Sequence, residues 1–504
     1  MAWLPRLVVL KSSSNHKCLS LTKDIPLVPA GFMSCNTEQV VNPKAKFEVE
    51  RASTGTGLVH IRCCYNNKYW VTCQTSRDNI WIVASADKPE EDQSKSSCTL
   101  FEPRFAVGES QVLFFHVERR RFTSLWKREG TVELALHLGA GSGDVFQVVD
   151  WETLVILPPR VAFKSFENGK YLCSRWIEKH PYQRFESNLD VGDPLVAKEL
   201  FVTANGSLRI KDGHYAKFWR RSPNWIWADA STENMSDDTL FWPVRIQDNV
   251  IALRNLGNNN FCGGLTTEYK TNCLNAAYRN ICKESKLVVE ELVLSRNIYN
   301  INFRLSDSRI YNEQVIEMDT AVAVNNSPNR DSTISLSFAE KDSRTRSWNS
   351  SVSLKLGVKT TLQVNSIPLI LDRKIELSVE STTAYQWGQT TTVEQTREAN
   401  YAVVVPPLSK MKVSLIASRA SCDVPFSYTQ RDILTDGRTV TKTMDDGLFT
   451  GINAYKFDYQ NQASFIGGQV IPSVSSPWRL PRAVYFWVCV VLVFSVLLRL
   501  LHFM

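Results

Sequence analysis

The first half of the chain contains one sequence pattern twice, and this repeat restricts the possible folds more than any other feature. Lys68-Tyr69-Trp70 returns as Lys217-Phe218-Trp219, and Trp81-Ile82-Val83-Ala84 returns as Trp225-Ile226-Trp227-Ala228. Self-similarity over this length indicates that each copy folds as its own unit. We therefore expect two related domains that meet near residue 155.

A shorter unit recurs inside each copy. It places a basic residue in an apolar stretch and a second basic residue or Asn six positions later, before an aromatic or apolar residue. Three units of short strands per copy, separated by polar turns, are typical of a threefold β architecture such as a β-trefoil. The clear examples begin at Lys11, Arg62, Lys164, Lys211 and Arg254, and a sixth, near Val117, is degraded.

Length and composition limit the remaining possibilities. At 504 residues the chain has room for about three domains, and its formal net charge of +7 is too modest and too spread out to predict a nucleic-acid partner. The 12 cysteines form no Cys-x-x-Cys pattern, and the apolar run near the N-terminus is too short for a secretory signal. We therefore expect reduced thiols, synthesis in the cytosol and a nucleocytoplasmic location.

No arrangement typical of catalysis is present in the sequence. The seven histidines are scattered and form no metal-binding motif with the cysteines, so we expect no metal, no cofactor and no enzymatic activity. Two acidic pairs, Glu290-Glu291 and Asp445-Asp446, are interpreted as solvated strand edges rather than as acid and base catalysts.

The segment Ser351–Trp387, called the insertion segment below, alternates apolar and polar residues with a period of two. This pattern predicts two strands, each with one apolar face, joined by an unusually apolar connection at Ile367-Pro368-Leu369-Ile370-Leu371. A turn is normally polar because it lies in water. The outgoing apolar residues are Val352, Leu354, Leu356, Val358, Leu362 and Val364, and the returning ones include Ile375, Leu377 and Val379.

Two interpretations of this segment stay open from the residues alone. It is an ordinary hairpin whose tip packs under a neighbouring domain, or it leaves its resting place, enters a bilayer and joins other copies in a closed barrel. Each arm supplies the ~9–11 residues that a membrane strand needs. In the second case Lys355 and Lys359 line the water-filled lumen, because their side chains lie opposite the apolar face.

The repeated half resembles the amaranthin (agglutinin-domain) lectins of plants. The residues that carry the resemblance include Phe47-Glu48-Val49-Glu50, Gly57-Leu58-Val59-His60-Ile61 and Cys98-Thr99-Leu100-Phe101, with partial echoes in the second copy. The resemblance implies two β-trefoils, at residues 1–153 and 157–291. It also implies binding of N-acetylgalactosamine and T-antigen-type glycans, those with terminal GalNAc or Gal-GalNAc, by a homodimer.

A sugar site needs an aromatic face for the pyranose ring and amide or carboxylate groups for its hydroxyls. Both copies offer these groups after their second unit, and we predict glycan binding there. The alternative is that the tryptophans belong to the trefoil cores. The candidate residues are Asp78, Asn79 and Trp81 in the first copy and Asn224, Trp225 and Trp227 in the second.

Residues 292–475 are rich in Ser, Thr and Val and resemble the aerolysin-like (ETX/MTX2) pore-forming module. The resemblance rests on the apolar connection described above, on Tyr385-Gln386-Trp387-Gly388-Gln389-Thr390, on Val405-Pro406-Pro407 and on Val424-Pro425-Phe426-Ser427-Tyr428. It implies that Ser351–Trp387 is an insertion hairpin that acts in a higher homo-oligomer.

The sequence as a whole predicts an all-β lectin that brings a β-barrel pore-forming module to membrane lipid, in plant defence or stress. The alternative is a sugar-sensing lectin whose third domain is an oligomerisation scaffold. Residues 476–504 include an uncharged stretch, Ala483 to Leu498, between two arginines. It is interpreted either as a membrane anchor or as an error in the predicted last exon, with equal weight.

Overall fold

The chain is built from β-strands wherever the computed structural model describes it. The described residues are 3–22, 28–55, 57–75, 79–106, 110–127, 134–139, 141–186, 189–351, 358–379 and 386–466. They contain 33 strands and four short 3-10 turns, at Pro43–Ala45, Trp151–Thr153, Asp237–Thr239 and Leu305–Asp307. The predicted all-β fold is confirmed.

The first copy forms a twelve-stranded antiparallel sheet that surrounds its own core. At the centre lies Trp70, which is fully buried and meets the rings of Phe47, Phe101 and Phe114 edge to face. This unit is the first trefoil. Its strands are β1 (Leu7–Ser12), β2 (Cys18–Leu21), β3 (Met33–Thr37), β4 (Phe47–Arg51), β5 (Val59–Cys63), β6 (Lys68–Gln74), β7 (Ile80–Ala86), β8 (Phe101–Phe105), β9 (Gln111–His116), β10 (Arg121–Lys127), β11 (Leu134–Leu138) and β12 (Phe146–Asp150).

The second copy repeats this arrangement as the second trefoil. Trp219 occupies the position of Trp70 and packs against Phe163 and Phe241. Its strands are β13 (Arg160–Ser165), β14 (Tyr171–Ile177), β15 (His180–Glu186), β16 (Lys198–Val202), β17 (Leu208–Asp212), β18 (Phe218–Ser222), β19 (Trp225–Ala230), β20 (Phe241–Gln247), β21 (Val250–Asn255), β22 (Phe261–Thr267), β23 (Lys270–Tyr278) and β24 (Lys286–Glu291).

The third domain differs from the trefoils in the length of its strands. The longest two, at Ser409–Leu434 and Thr439–Phe465, pair with each other along most of their length and form the centre of a seven-stranded sheet. Its strands are β25 (Val293–Phe303), β26 (Arg309–Asn325), β27 (Ser332–Asn349), β28 (Thr360–Leu362), β29 (Ser366–Leu371), β30 (Lys374–Val379), β31 (Thr390–Val405), β32 (Ser409–Leu434) and β33 (Thr439–Phe465). Strands β29 and β30 form a separate two-stranded sheet.

The acidic pairs are less solvated than predicted, except at Asp445, whose side chain is 46% exposed. Glu291 is largely buried and receives a hydrogen bond of 2.6 Å from Arg296. The same guanidinium donates two hydrogen bonds, of 2.7 and 2.9 Å, to the carboxylate of Asp432 on β32. This bridge joins the end of the second trefoil to the third domain. Asp445, in the other pair, also makes contacts between domains, which are described below.

The remaining sequence predictions concern the thiols and the C-terminal segment. The eleven cysteines among the described residues are all unpaired thiols, as expected for a reduced protein. In the described part of the chain, no helix has both the length and the apolar character required to cross a membrane. The predicted anchor at residues 476–504 lies outside the described residues.

Candidate functional site

The second trefoil presents an aromatic cluster at one end of its hairpins. The cluster forms where β15, β19 and β23 meet, and it consists of Tyr182, Trp225, Trp227 and Cys273. Trp225 is 5% exposed, whereas Trp227 is only partly buried. We call these four residues the cap cluster.

Trp227 is the least buried of the three predicted sugar-binding tryptophans. His180 stacks on its indole with a centroid distance of 3.8 Å and an interplanar angle of 6°. The guanidinium of Arg220 lies 5.2 Å from the same ring and is held by Asp229 through bonds of 2.7 and 2.8 Å. The indole is therefore fixed in orientation, which limits the entropy lost when a ligand stacks against it.

Charged groups surround the cap cluster. Lys270 forms an ion pair of 2.9 Å with Glu178, and the indole nitrogen of Trp225 donates to Glu268 at 3.1 Å. The hydrogen bond to Glu178 raises the pKa of Lys270 above its usual value, so the ammonium stays charged. Next to these groups, Tyr269 is fully exposed at a turn. Carboxylates and an ammonium beside aromatic rings match the needs of a polyhydroxylated ligand.

Asn224, the third candidate of the second copy, has a structural role in this state. Its side-chain oxygen accepts hydrogen bonds from Asn258 at 3.2 Å and from Arg221 at 3.3 Å. Its carbonyl accepts the backbone N–H of Ala276 at 2.8 Å. Asn224 therefore ties β19 to its neighbours.

The candidate sugar-binding residues of the first copy are less accessible than those of the second. Trp81 is 9% exposed, packs between Phe32 and His137, and donates its indole N–H to Thr75 at 3.1 Å. Its burial agrees with the alternative that this tryptophan belongs to the core. Asn79 is partly buried beside it, and Asp78 lies outside the described residues.

Sequence reasoning missed Trp126. This residue of β10 is 54% exposed and its ring lies 5.5 Å from His137, which also contacts the predicted Trp81. The strand alternation explains this exposure, since Thr123 is buried and Leu125 packs on the core, which directs Trp126 outward. Trp126 is the accessible aromatic of this site in the first trefoil.

The described residues of the insertion segment, 358–379 with Ser351 and residues 386–387 at its ends, lie folded against the third domain. Residues Val358, Leu362 and Val364 are buried or partly buried, whereas Lys359 is exposed, so the predicted alternation holds over the described part of the outgoing arm. Thr360–Leu362 runs parallel to β25. Four further candidates, Val352, Leu354, Lys355 and Leu356, lie outside the described residues.

The predicted apolar turn of this segment is wrong for the folded state. Residues Ile367, Pro368, Leu369, Ile370 and Leu371 belong to strand β29, which pairs with β30, and the turn is Asp372-Arg373. Both turn residues have positive φ, 43° and 66°, as a two-residue hairpin requires. The sequence prediction failed because it took the most apolar stretch for the connection, although that stretch is a strand that packs on a core.

Strand β29 is attached to the domain by side chains rather than by strand pairing. Ile367 and Ile370 are 1% and 0% exposed and join a core cluster with Phe426 and Phe449. The backbone of Ile370 is bonded to the side chain of Asn453 on β33. The outer strand is different: Leu377 is 44% and Val379 87% exposed. Strand β29 is thus buried on both faces, whereas β30 exposes apolar residues to water.

Comparisons with known proteins follow the same division of the chain. The family model for the agglutinin domain matches residues 2–150 and 155–293, and the model for the aerolysin toxin matches residues 282–433. The search of curated proteins found no match.

Three solved structures are similar to parts of this chain. The lamprey immune protein has 13% sequence identity, a TM-score of 0.29 and coverage of 61% of this chain and 100% of that chain. A mosquitocidal holotoxin has 10% identity, a TM-score of 0.26 and coverage of 60% and 36%. The designed 3-fold symmetric protein ThreeFoil has 12% identity, a TM-score of 0.22 and coverage of 26% and 98%.

Proposed function

This chain belongs to the agglutinin domain family, and from that premise we propose that its two trefoils bind cell-surface glycans and deliver the third domain to a membrane, where it forms a pore. The glycans are those with terminal GalNAc or Gal-GalNAc, and the trefoils act as a homodimer. The protein starts in the nucleocytoplasm and serves plant defence or stress.

The observation that carries the pore proposal is the hairpin β29–β30. It is a two-stranded sheet outside the main sheet, and it stores Ile367, Leu369 and Ile370 against the domain. Such a hairpin can leave without breaking the ladder between β32 and β33. Lipid cannot satisfy an open strand edge, so the released strands have to pair with those of other copies in a closed barrel.

Glycan binding serves the assembly step. Insertion needs several chains at one place, and tethering to a surface raises their effective concentration without new contacts between them. In the assembled state the alternating apolar residues of the insertion segment face lipid, and Lys355 and Lys359 line the water path.

Leakage of a dye from vesicles that carry a GalNAc-terminated glycolipid tests this function. Val379→Arg is the informative variant, because Val379 is 87% exposed in the folded protein and tolerates a charge there. In lipid, an arginine near the midplane costs ~2–4 kcal/mol per chain. Ser378→Arg is the control, since it adds the same charge on the opposite face of the same strand, at a partly buried position, and its folding is checked by urea denaturation.

We expect wild type and Ser378→Arg to release dye from glycolipid vesicles and Val379→Arg to release little. Equal leakage from the two arginine variants would contradict the assignment of the lipid-facing side. Glycan binding without leakage by wild type would favour the other function, a sugar-sensing lectin whose third domain is a scaffold.

A further inference from the structure

The first trefoil touches the third domain through a polar junction. Arg304 donates to Asp445 at 2.5 Å and to the carbonyl of Tyr65 at 3.1 Å, and its guanidinium lies 4.3 Å from the Tyr65 ring. The Tyr65 hydroxyl donates to the same Asp445 carboxylate. Asn67 donates to the carbonyl of Asp307 at 2.9 Å. Residues from distant parts of the chain therefore share one carboxylate and one guanidinium.

The trefoil side of this junction is rigid. Arg62 is 3% exposed, is paired with Glu48 and Glu50, and donates to the side chain of Asn67 at 2.6 Å. Asn66 donates to the carbonyl of Ala84 at 2.9 Å. Because Ala84 lies on β7, the loop that carries Tyr65 is bonded to the strand that holds the predicted sugar-binding Trp81.

These junction residues are specific to the first copy. The repeat places His214 where the first copy has Tyr65, and Ala216 where it has Asn67. Neither replacement offers the same hydroxyl or amide. The junction is therefore not a general property of the trefoil fold, and a role particular to the first trefoil is needed to explain it.

The third-domain side of the junction is a β-bulge. Phe426 pairs with Gly447 and Tyr428 with Met444, so Asp445 and Asp446 together oppose the single residue Ser427. A bulge re-aims side chains from their regular alternation. Here it lets two adjacent carboxylates make separate sets of contacts. Asp445 bonds to the first trefoil, whereas Asp446 faces the insertion segment.

Both ends of the insertion segment close on that bulge. Asp446 accepts hydrogen bonds from the backbone N–H of Ser351 at 3.0 Å and from the Tyr428 hydroxyl at 3.1 Å. At the other end of the segment, the ring of Trp387 lies 5.0 Å from that of Tyr428 and 6.1 Å from that of Phe426. The start and the end of Ser351–Trp387 are therefore held by neighbours of the carboxylate that the first trefoil binds.

We propose that this junction is a latch, made by Tyr65, Arg304 and the Asp445-Asp446 bulge, through which the first trefoil holds the insertion segment closed. Separation of the trefoil removes the Tyr65 hydroxyl and carbonyl from Asp445 and Arg304. The bulge then loses the bonds to the first trefoil that hold Asp445 in place, and the neighbouring contact between Asp446 and Ser351 loosens with it. The inference rests on the proposed function for its purpose, although the coupling itself is a property of the folded chain.

The experiment measures hydrogen–deuterium exchange in Ser366–Val379 on the full chain in solution, without membranes. The variants are Tyr65→Phe and Asp445→Asn. Tyr171→Phe is the first control, because its hydroxyl also bonds a carboxylate, that of Glu290 at 2.7 Å, but inside the second trefoil. Asp458→Asn is the second, since it makes the same charge change on β33 at an exposed position.

We expect each latch variant to speed exchange in Ser366–Val379 by about fivefold or more, as loss of one hydrogen bond permits, and the controls to leave it unchanged. Unchanged exchange in both latch variants would overturn the latch. Leakage from glycolipid vesicles is recorded in parallel and reports on the proposed function alone. Faster exchange in a protein that never causes leakage would keep the latch and refute the pore.

Discussion

Asn453 and Ile370 are joined by a reciprocal pair of hydrogen bonds. The N–H of Ile370 donates to the Asn453 side-chain oxygen at 3.1 Å, and the Asn453 amide donates to the Ile370 carbonyl at 2.9 Å. Both residues are buried, at 4% and 0% exposure. The Asn453 amide makes the two hydrogen bonds that a neighbouring strand would otherwise make. It does so for the backbone of a single residue of β29, Ile370.

Replacing Asn453 by Ala should loosen the hairpin. The variant leaves a buried N–H and C=O of Ile370 unpaired, which costs about 1–3 kcal/mol. We expect faster hydrogen exchange in Ser366–Val379 and more rapid dye release from glycolipid vesicles than with wild type. Asn461→Ala is the control, because Asn461 lies on the same strand as Asn453 but its amide bonds Tyr401 of β31, away from the hairpin. Similar exchange in the two variants would show that Asn453 does not hold β29.

The second prediction concerns acid stability of the first trefoil and depends on His116. This residue is fully buried, and burial lowers its pKa to about 4. Its ring nitrogens bond the carbonyl of Cys98 and the N–H of Arg119, both at 3.2 Å. In the second trefoil the side chain of Asn255 bonds the carbonyl of Asp238 and the N–H of Gly257 in the same way.

His116→Asn should therefore keep both hydrogen bonds and remove the group that binds a proton in acid. The unfolded chain binds a proton at its histidine below pH ~6.5, whereas the folded chain does not until pH falls to about 4. The contribution of His116 to the free energy of unfolding is thus fully present above the unfolded pKa. It is lost as pH decreases through this window, by about 3 kcal/mol in total. Urea unfolding at several pH values should show a smaller acid loss in His116→Asn. Identical stability profiles of wild type and His116→Asn against pH would exclude His116 as the cause of the acid loss.

The third prediction assigns most glycan affinity to the second trefoil. The repeat places the buried Val83 where the second copy has the partly exposed Trp227, so only the second copy has an aromatic face at this position. Trp227→Ala should weaken binding of a Gal-GalNAc glycan about tenfold, since a stacked aromatic contributes about 1 kcal/mol or more. Calorimetry would measure this. Trp126→Ala should have a smaller effect, and Phe201→Ala, at an exposed ring on another strand, none.

Much of the fold was predictable because it repeats. The motif around Trp70 returned around Trp219, and both tryptophans are the centres of their cores. Alternation likewise placed Leu362 inward and Lys359 outward. These patterns are local and are decided by which side chains avoid water, so one sequence suffices to read them.

The sites were less predictable because they depend on contacts between distant residues. Asp445 is partly in solvent, as predicted, but nothing near it in sequence indicates that Tyr65 binds it. The apolar stretch ending at Leu371 was taken for a turn because no local signal shows that a core cluster around Phe426 receives it. Asp372-Arg373 lacks the usual turn glycine, so the true turn gave a weak signal.

The two trefoils fill one interior position by opposite chemistry. In the first, the cross-strand pair is Phe47 and Cys63, both fully buried and apolar. In the second, the equivalent pair is Lys198 and Asp212, which are also fully buried and form an ion pair of 3.0 Å. Burial opposes ionisation of Asp212, but Lys198 and Ser174 hold its pKa below the usual value. The carboxylate therefore stays charged at neutral pH.

The fourth prediction is that Lys198 and Asp212 stabilise the second trefoil only when both charges are present. Lys198→Met leaves the buried Asp212 carboxyl without its cation, and should lower the free energy of unfolding by about 3–5 kcal/mol. Asp229→Asn, which breaks a partly exposed pair with Arg220, should cost about 1 kcal/mol or less. The double variant Lys198→Phe with Asp212→Cys copies the first trefoil and should recover much of the loss, because both charges leave together. Urea denaturation of wild type and the three variants measures these differences, and a double variant no more stable than Lys198→Met would show that the second trefoil cannot accept the apolar pair of the first.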